Sequence, residues 1–164
     1  MDKSLQHRNL PLLLLQAREK AMAHFRRILN HYGLTEQQWR VLRAISDSGE
    51  PMEQSQICET CHILGPSLAG VLARMEETKL VTRTRLDTDQ RRMLVALTSQ
   101  SAALIEEIAP FVERQYANLE AAVGTSVVRD LYRALDAFLA SPGKVAPVAL
   151  PVVTRPGARM RRSG

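Results

Sequence analysis

The chain holds only two cysteines in 164 residues. Two thiols cannot staple a small extracellular scaffold, so a disulfide-built secreted domain is not expected. Long apolar runs are missing too. The one leader-like stretch, "LPLLLLQA" at residues 10–17, has its apolar run at Leu10 to Leu15, interrupted by Pro11, and "QAREK" follows at once. That is too short for a secretory core and far short of the ~20 residues of a membrane helix. A cytoplasmic protein is expected. Also absent are a nucleophile–base arrangement, a glycine-rich phosphate loop, a metal-ligand cluster and an internal repeat. Catalysis, a metal and a cofactor are therefore not expected.

Apolar residues make up 45% and charged residues 24%, the balance of an ordinary globular chain. The net charge of +5 suggests an anionic partner, but its distribution is uneven. From Ser141 onward there is no acid, while Lys144, Arg155, Arg159, Arg161 and Arg162 are all basic. With those five set aside, 17 basic residues balance 17 acidic ones, so the body is neutral. Residues 141–164 also hold four of the eight prolines and read as a disordered basic tail. Residues 1–9 read as a disordered N-terminus. Any case for nucleic acid must rest on local clustering in between.

Helical periodicity begins at about Pro11 and runs to His31, where Gly33 stops it. Leu14, Arg18, Met22, Phe25 and Leu29 share a stripe, with Leu13, Ala17, Ala21, Ile28 and Tyr32 beside it. So broad an apolar surface exceeds what one small lobe can bury and suggests a partner chain. Thr35 and Gln38 form a capping box for a second helix, closed by Gly49-Glu50-Pro51. A short helix follows over about 53–62. A further helix has Pro66 near its first turn and an apolar stripe of Leu68, Val71, Leu72 and Met75. The period then drops from 3.6 to 2: "LVTRTRL" and "MLVALT" alternate around "DTDQRR", giving a β-hairpin. A long helix with Pro110 inside, expected to kink near Glu106, precedes a last one from Thr125 or Ser126 to Leu139.

Three helices and a hairpin predict a mainly α fold, a winged helix-turn-helix lobe over 35–98. Residues 10–32 and 99–140 supply the remaining helices, so that 10–140 make one domain. The short helix buttresses the next, whose outward face is small and polar: Ser67, Ala69, Gly70 and Ala73, with Arg74 as donor. With Pro66 at its start, such a face is thin enough to enter a major groove ~12 Å wide. Lys79, Arg83, Arg85, Arg91 and Arg92 are the densest basic stretch outside the tail. The hairpin that carries them is the expected wing.

"DQRRMLVALT" resembles the D-x-R-x-x-x-x-x-L-T wing pattern of MarR-family transcriptional regulators, at Asp89, Arg91, Leu97 and Thr98. "SLAGVLARMEETKLVTR" is similar to that family's recognition helix and wing. The resemblance covers residues 10 to about 140. It implies a homodimer in which residues 10–32 and 99–140 are interlocked dimerisation helices, with two winged lobes reaching successive grooves of double-stranded DNA at a pseudo-palindromic operator. Gln90 stands where the family commonly has arginine, which assigns the minor-groove contact to Arg91, with Asp89 orienting it. "LLQAREKAMAHFRRIL", "LTEQQWRVLR" and "CHILGPSL" are similar to the branch named for homoprotocatechuate catabolism. That likeness implies a repressor released by a small aromatic acid, either a hydroxyphenylacetate or catechol type or a hydroxylated pyridine carboxylate. The alternative is a cysteine-based redox-sensing regulator, or a repressor without a small-molecule ligand.

Two features stay open at this level. "CETCH" reads C-x-x-C-H, yet the export that haem attachment implies does not fit the cytoplasmic protein expected above, and zinc needs about four ligands where three are local. Cys58 and Cys61 fall on the buried stripe of the buttressing helix, where thiols pack as small hydrophobes; a redox pair is the other reading, through a strained disulfide. Arg18, on an apolar stripe, needs an anionic partner, either an internal glutamate or a ligand carboxylate. The family's ligand position, between dimer helices and winged lobe, implies that Arg18 meets an effector together with Trp39, Arg40, Arg43 and His62.

Overall fold

The computed structural model describes residues 6–86, 89–143 and 146–150, with the side chains of 86–91 outside the description. Asp89 and Arg91 are among those side chains, and most of the basic tail and the first five residues also lie outside the described residues. The chain divides into two units, Met1–Thr125 and Ser126–Gly164.

In the first unit, α1 (Leu10–His31) starts at Asn9, whose Oδ1 accepts from the Leu12 amide at 3.0 Å. Gly33, at φ 67°, then takes the left-handed conformation that lets the chain turn. α2 (Glu36–Ser48) opens on the expected capping box. The Gln38 amide donates to Thr35 Oγ1 at 3.2 Å, and the Thr35 amide donates to Gln38 Oε1 at 2.9 Å. Gly49 ends α2 at φ 73°.

The strand content departs from expectation. A two-residue strand, β1 (Met52–Glu53), precedes α3 (Gln54–Cys61) and α4 (Gly65–Glu77). It pairs with β3 (Asp89–Leu97), which also pairs with β2 (Val81–Leu86), giving an antiparallel sheet ordered β1-β3-β2. Two residues carry too little alternation to signal a strand. β3 also begins four residues before the expected strand, inside the charged segment that reads as turn from sequence. Backbone pairing, with Leu86 opposite Asp89 and Arg85 opposite Met93 across a register shift, overrides the polar composition there.

One core serves the winged part. Val41, Leu42 and Ile45 from α2, Ile57 and Cys61 from α3, and Leu68, Val71, Leu72 and Met75 from α4 are all buried, with Val81 and Val95 from the sheet. Phe25 and Leu29 extend it into α1, Ile108 and Val112 into α5 (Ser99–Val123). Rings join those two helices: Phe25 to Tyr116 at 4.6 Å between centroids, Tyr32 to Phe111 at 6.3 Å. α5 is continuous through Pro110. The start of α1 is uncovered, with Leu14 of the stripe and its neighbours Leu10, Leu12 and Leu15 exposed. The second unit contains nearly all of α6 (Thr125–Ala140), in which no residue is buried.

Candidate nucleic-acid interface

α4 is two-faced. Leu68, Val71, Leu72 and Met75 stand at i, i+3, i+4 and i+7 and are almost wholly buried, which fixes the helix on α2 and α3. The opposite face is thin: Pro66, Ser67 and Ala69 are exposed, Gly70 and Ala73 half-buried. A methyl group placed on Gly70 would meet Arg74 Nη1 at 3.6 Å, so the exposed guanidinium lies back along the helix over that glycine. Hydrogen-bond donors and small side chains thus share one outward surface.

The turn before α4 is firmly made. His62 closes α3 in the left-handed conformation, at φ 48° and ψ 49°. Arg40 of α2 donates to the Cys61 carbonyl at 2.8 Å, satisfying one of the helix-end acceptors of α3. The Cys61 thiol lies 3.6 Å from the Arg40 carbonyl in return. Burial pushes that thiol up, against the pull of the Arg40 charge. Cys58 is half-buried and Cys61 buried; both are free thiols, and Cys61 belongs to the core.

The hairpin is tied at its base. Thr98 caps α5, accepting from the Ser101 amide at 3.1 Å, and its hydroxyl donates to the Lys79 carbonyl at 2.7 Å. Lys79 is itself left-handed, at φ 58°. Buried Ser101 completes the box by accepting from the Thr98 amide at 3.0 Å. Of the hairpin arginines, Arg83 donates twice to Glu76, through Nε at 2.8 Å and through Nη2. Arg92 forks onto Glu53, Nε to Oε2 at 2.9 Å and Nη2 to Oε1. Arg85 is exposed and has no ion-pair partner among the described residues.

The five residues expected at an effector are distributed differently. Arg18 lies 43% exposed on α1 and donates to Glu19 at 2.5 Å and Glu36 at 2.8 Å. Arg26 joins the same pair of carboxylates, with Nε 2.5 Å from Glu36 Oε1. Burial alone would raise Glu36, but hydrogen bonds from Arg26 and Arg18 outweigh it and hold its carboxyl below the ordinary range. Arg18 therefore has internal glutamate partners. Arg40 is bonded to the Cys61 carbonyl at the end of α3, which exposed His62 closes. Trp39 packs half-buried against the core, and Arg43, one turn on, reaches Asp47 only at 3.6 Å.

Glu19, Glu36, Glu53 and Glu76 were not legible as site residues. Most of these pairs cross from one element to another, and periodicity reports only neighbours on one element.

The model of the MarR family matches residues 32–92, from the end of α1 into β3. The homoprotocatechuate degradative operon repressor of Escherichia coli is 38% identical over 134 residues, 82% of this chain and 90% of that protein. Among solved structures, transcriptional regulator PA4135 superposes with a TM-score of 0.78 at 39% identity, over 81% of this chain and 97% of that one. NadR in complex with 4-hydroxyphenylacetate gives 0.72 at 36%, over 87% and 99%. CouR bound to a DNA duplex gives 0.71 at 25%, over 79% and 92%. BpsR of Bordetella bronchiseptica, whose DNA binding is regulated by 6-hydroxynicotinic acid, gives 0.67 at 26%, over 79% and 99%. With its winged lobe, its small-faced α4 and relatives matched over nearly their whole length, this chain belongs to the MarR family of transcriptional regulators.

Proposed function

We propose that the chain is a homodimeric, sequence-specific repressor that a small aromatic acid releases from its operator. The observation that carries the proposal is α4: four buried apolar residues seat it, and its free face offers Ser67, Ala69, Gly70 and Arg74 to base edges. Pro66 begins that face, and Arg85 and Arg91 of the wing supply phosphate or minor-groove contacts, with Asp89 orienting Arg91. The effector class follows two relatives, NadR, which binds 4-hydroxyphenylacetate, and BpsR, whose DNA binding 6-hydroxynicotinic acid regulates.

Within the chain, Trp39 and Arg43 stand at i, i+4 on α2, one ring and one loosely held guanidinium on the same face. A ring carboxylate fits such a pair by stacking and by charge-assisted hydrogen bonding. Arg40 is engaged by the Cys61 carbonyl and Arg18 by glutamates, so both support the site indirectly. Release requires that the acid prefer an arrangement of the winged lobes that no longer fits DNA, since equal affinity for both shifts nothing.

An electrophoretic shift assay on the gene's own upstream region tests this, with a panel of hydroxylated phenylacetates, catechols and pyridine carboxylates beside peroxide. The expected result is a specific complex dissolved by one of the acids. Equal binding to scrambled duplexes at physiological salt overturns the repressor, and release by peroxide alone overturns the effector class.

A further inference from the structure

Two arginines of the hairpin are already spoken for. Glu76, in the last turn of α4, takes both hydrogen bonds of Arg83 on β2. Glu53, on β1, takes the fork of Arg92 on β3. The register explains the second pair. Glu53 lies opposite Leu94, and Arg92 is two residues away along β3, the diagonal neighbour on the same face. Hydrogen bonds from their arginines hold both carboxyls below the usual glutamate range. Each carboxylate comes from outside the hairpin; two parallel donors on two oxygens fix the angle of the Glu53 pair as well as its distance, while at Glu76 both donors converge on Oε2.

We infer that Glu76 and Glu53 are positioning residues for DNA recognition. They strap the wing to the recognition helix and to β1, so that Arg83 and Arg92 set the wing's angle rather than neutralise phosphates. The inference rests on the DNA-binding reading above. A guanidinium bonded to a carboxylate presents no net charge at a distance and releases no counterion on binding. Exposed Arg85 is then the cation that the described part of the wing offers to the backbone.

The alternative is that Arg83 and Arg92 reach phosphates and their glutamates merely compete. The two ideas predict opposite signs. Glu76→Gln removes a negative charge near DNA, which strengthens binding if the glutamate only competes. If it is a strap, the loosened wing must be ordered on binding, and affinity falls.

The experiment is an anisotropy titration of a duplex from the gene's upstream region, over a series of salt concentrations, with full-length protein. Glu76→Gln and Arg83→Gln are each expected to weaken binding about 2- to 10-fold, the cost of re-ordering a side chain or two. Their double variant should do no worse than either alone, and the slope of log affinity against log salt should stay at the wild-type value. Arg85→Gln should flatten that slope by about one unit. Glu53→Gln should repeat the Glu76→Gln result, which keeps the test decisive if one variant folds poorly by circular dichroism. Tighter binding by Glu76→Gln, or a slope flattened by Arg83→Gln, overturns the straps while leaving the regulator intact. A wild type with no preference for the duplex overturns the regulator reading and the straps with it.

Discussion

At the scale of single residues, environment decides which of several similar side chains is available for chemistry. Arg18 and Arg43 both lie near α2, but Arg18 donates to two glutamates, whereas Arg43 has one distant partner at 3.6 Å. Arg43→Ala is therefore expected to leave operator binding intact and to raise the acid concentration needed for release roughly 10-fold or more, as loss of a charge-assisted contact does. Arg18→Ala should leave that concentration unchanged and lower the melting temperature slightly, because an exposed pair contributes little. Titrating the acid against operator-bound wild type and both variants checks this; a large shift in Arg18→Ala alone reverses the assignment. The thiols follow the same logic. Cys61 is 1% exposed and its thiol is pushed up by burial, so thiolate chemistry is suppressed. In native protein an aromatic disulfide reagent should label at most Cys58, with Cys61 reacting only on unfolding. Rapid labelling of both would restore the redox reading of the CETCH segment.

At the scale of elements, the straps make the wing sensitive to acid. Glu53 and Glu76 titrate below their ordinary range, so their pairs stabilise fully above that range and are lost as pH falls through the lowered values. Glu19 behaves alike, its carboxyl lowered chiefly by Arg26. Stability should decline from about pH 5 downward, and Glu53→Gln/Glu76→Gln should show a shallower decline in thermal melts. An unchanged pH profile in that variant would mean the straps add nothing to the fold. What could be read from sequence divides along the same line. The capping box at Thr35 and Gln38, the α4 stripe and the order of helices and hairpin were all legible, because each is a repeat or pair within a few residues. β1 was not, since its two residues exist as a strand only by pairing with Val95 and Leu94. Neither were the strap glutamates, whose partners lie 39 and 7 residues away on other elements. Which of Arg18, Arg40 and Arg43 already has a partner was not legible either, since that required knowing that Glu36 folds beside Arg18 and the Cys61 carbonyl beside Arg40.

At the scale of the whole molecule, each unit leaves apolar surface that one chain does not cover. In the first, Leu10, Leu12, Leu14 and Leu15 are 37–54% exposed at the start of α1; in the second, Leu131, Phe138 and Leu139 are 48–76% exposed along α6. Runs of this kind on helices mark association surfaces. If a second copy covers them, light scattering should report a dimer at micromolar concentration, and the melting temperature should rise with protein concentration, as it does when folding and association are coupled. Phe138→Glu should then shift the population toward monomer while leaving the buried core of Val41, Leu72 and Ile108 untouched. A dimer carries two copies of α4, and two-fold symmetry in the protein demands it in the site. Binding should prefer pseudo-palindromes with half-sites about one helical turn apart, ~10 bp. Phe138→Glu should lose most of that affinity, because each lobe alone keeps only its own contacts and forfeits the effective concentration supplied by its twin. A monomeric wild type that binds a single half-site as tightly as the full palindrome would remove symmetry from the mechanism and leave α4 to act singly.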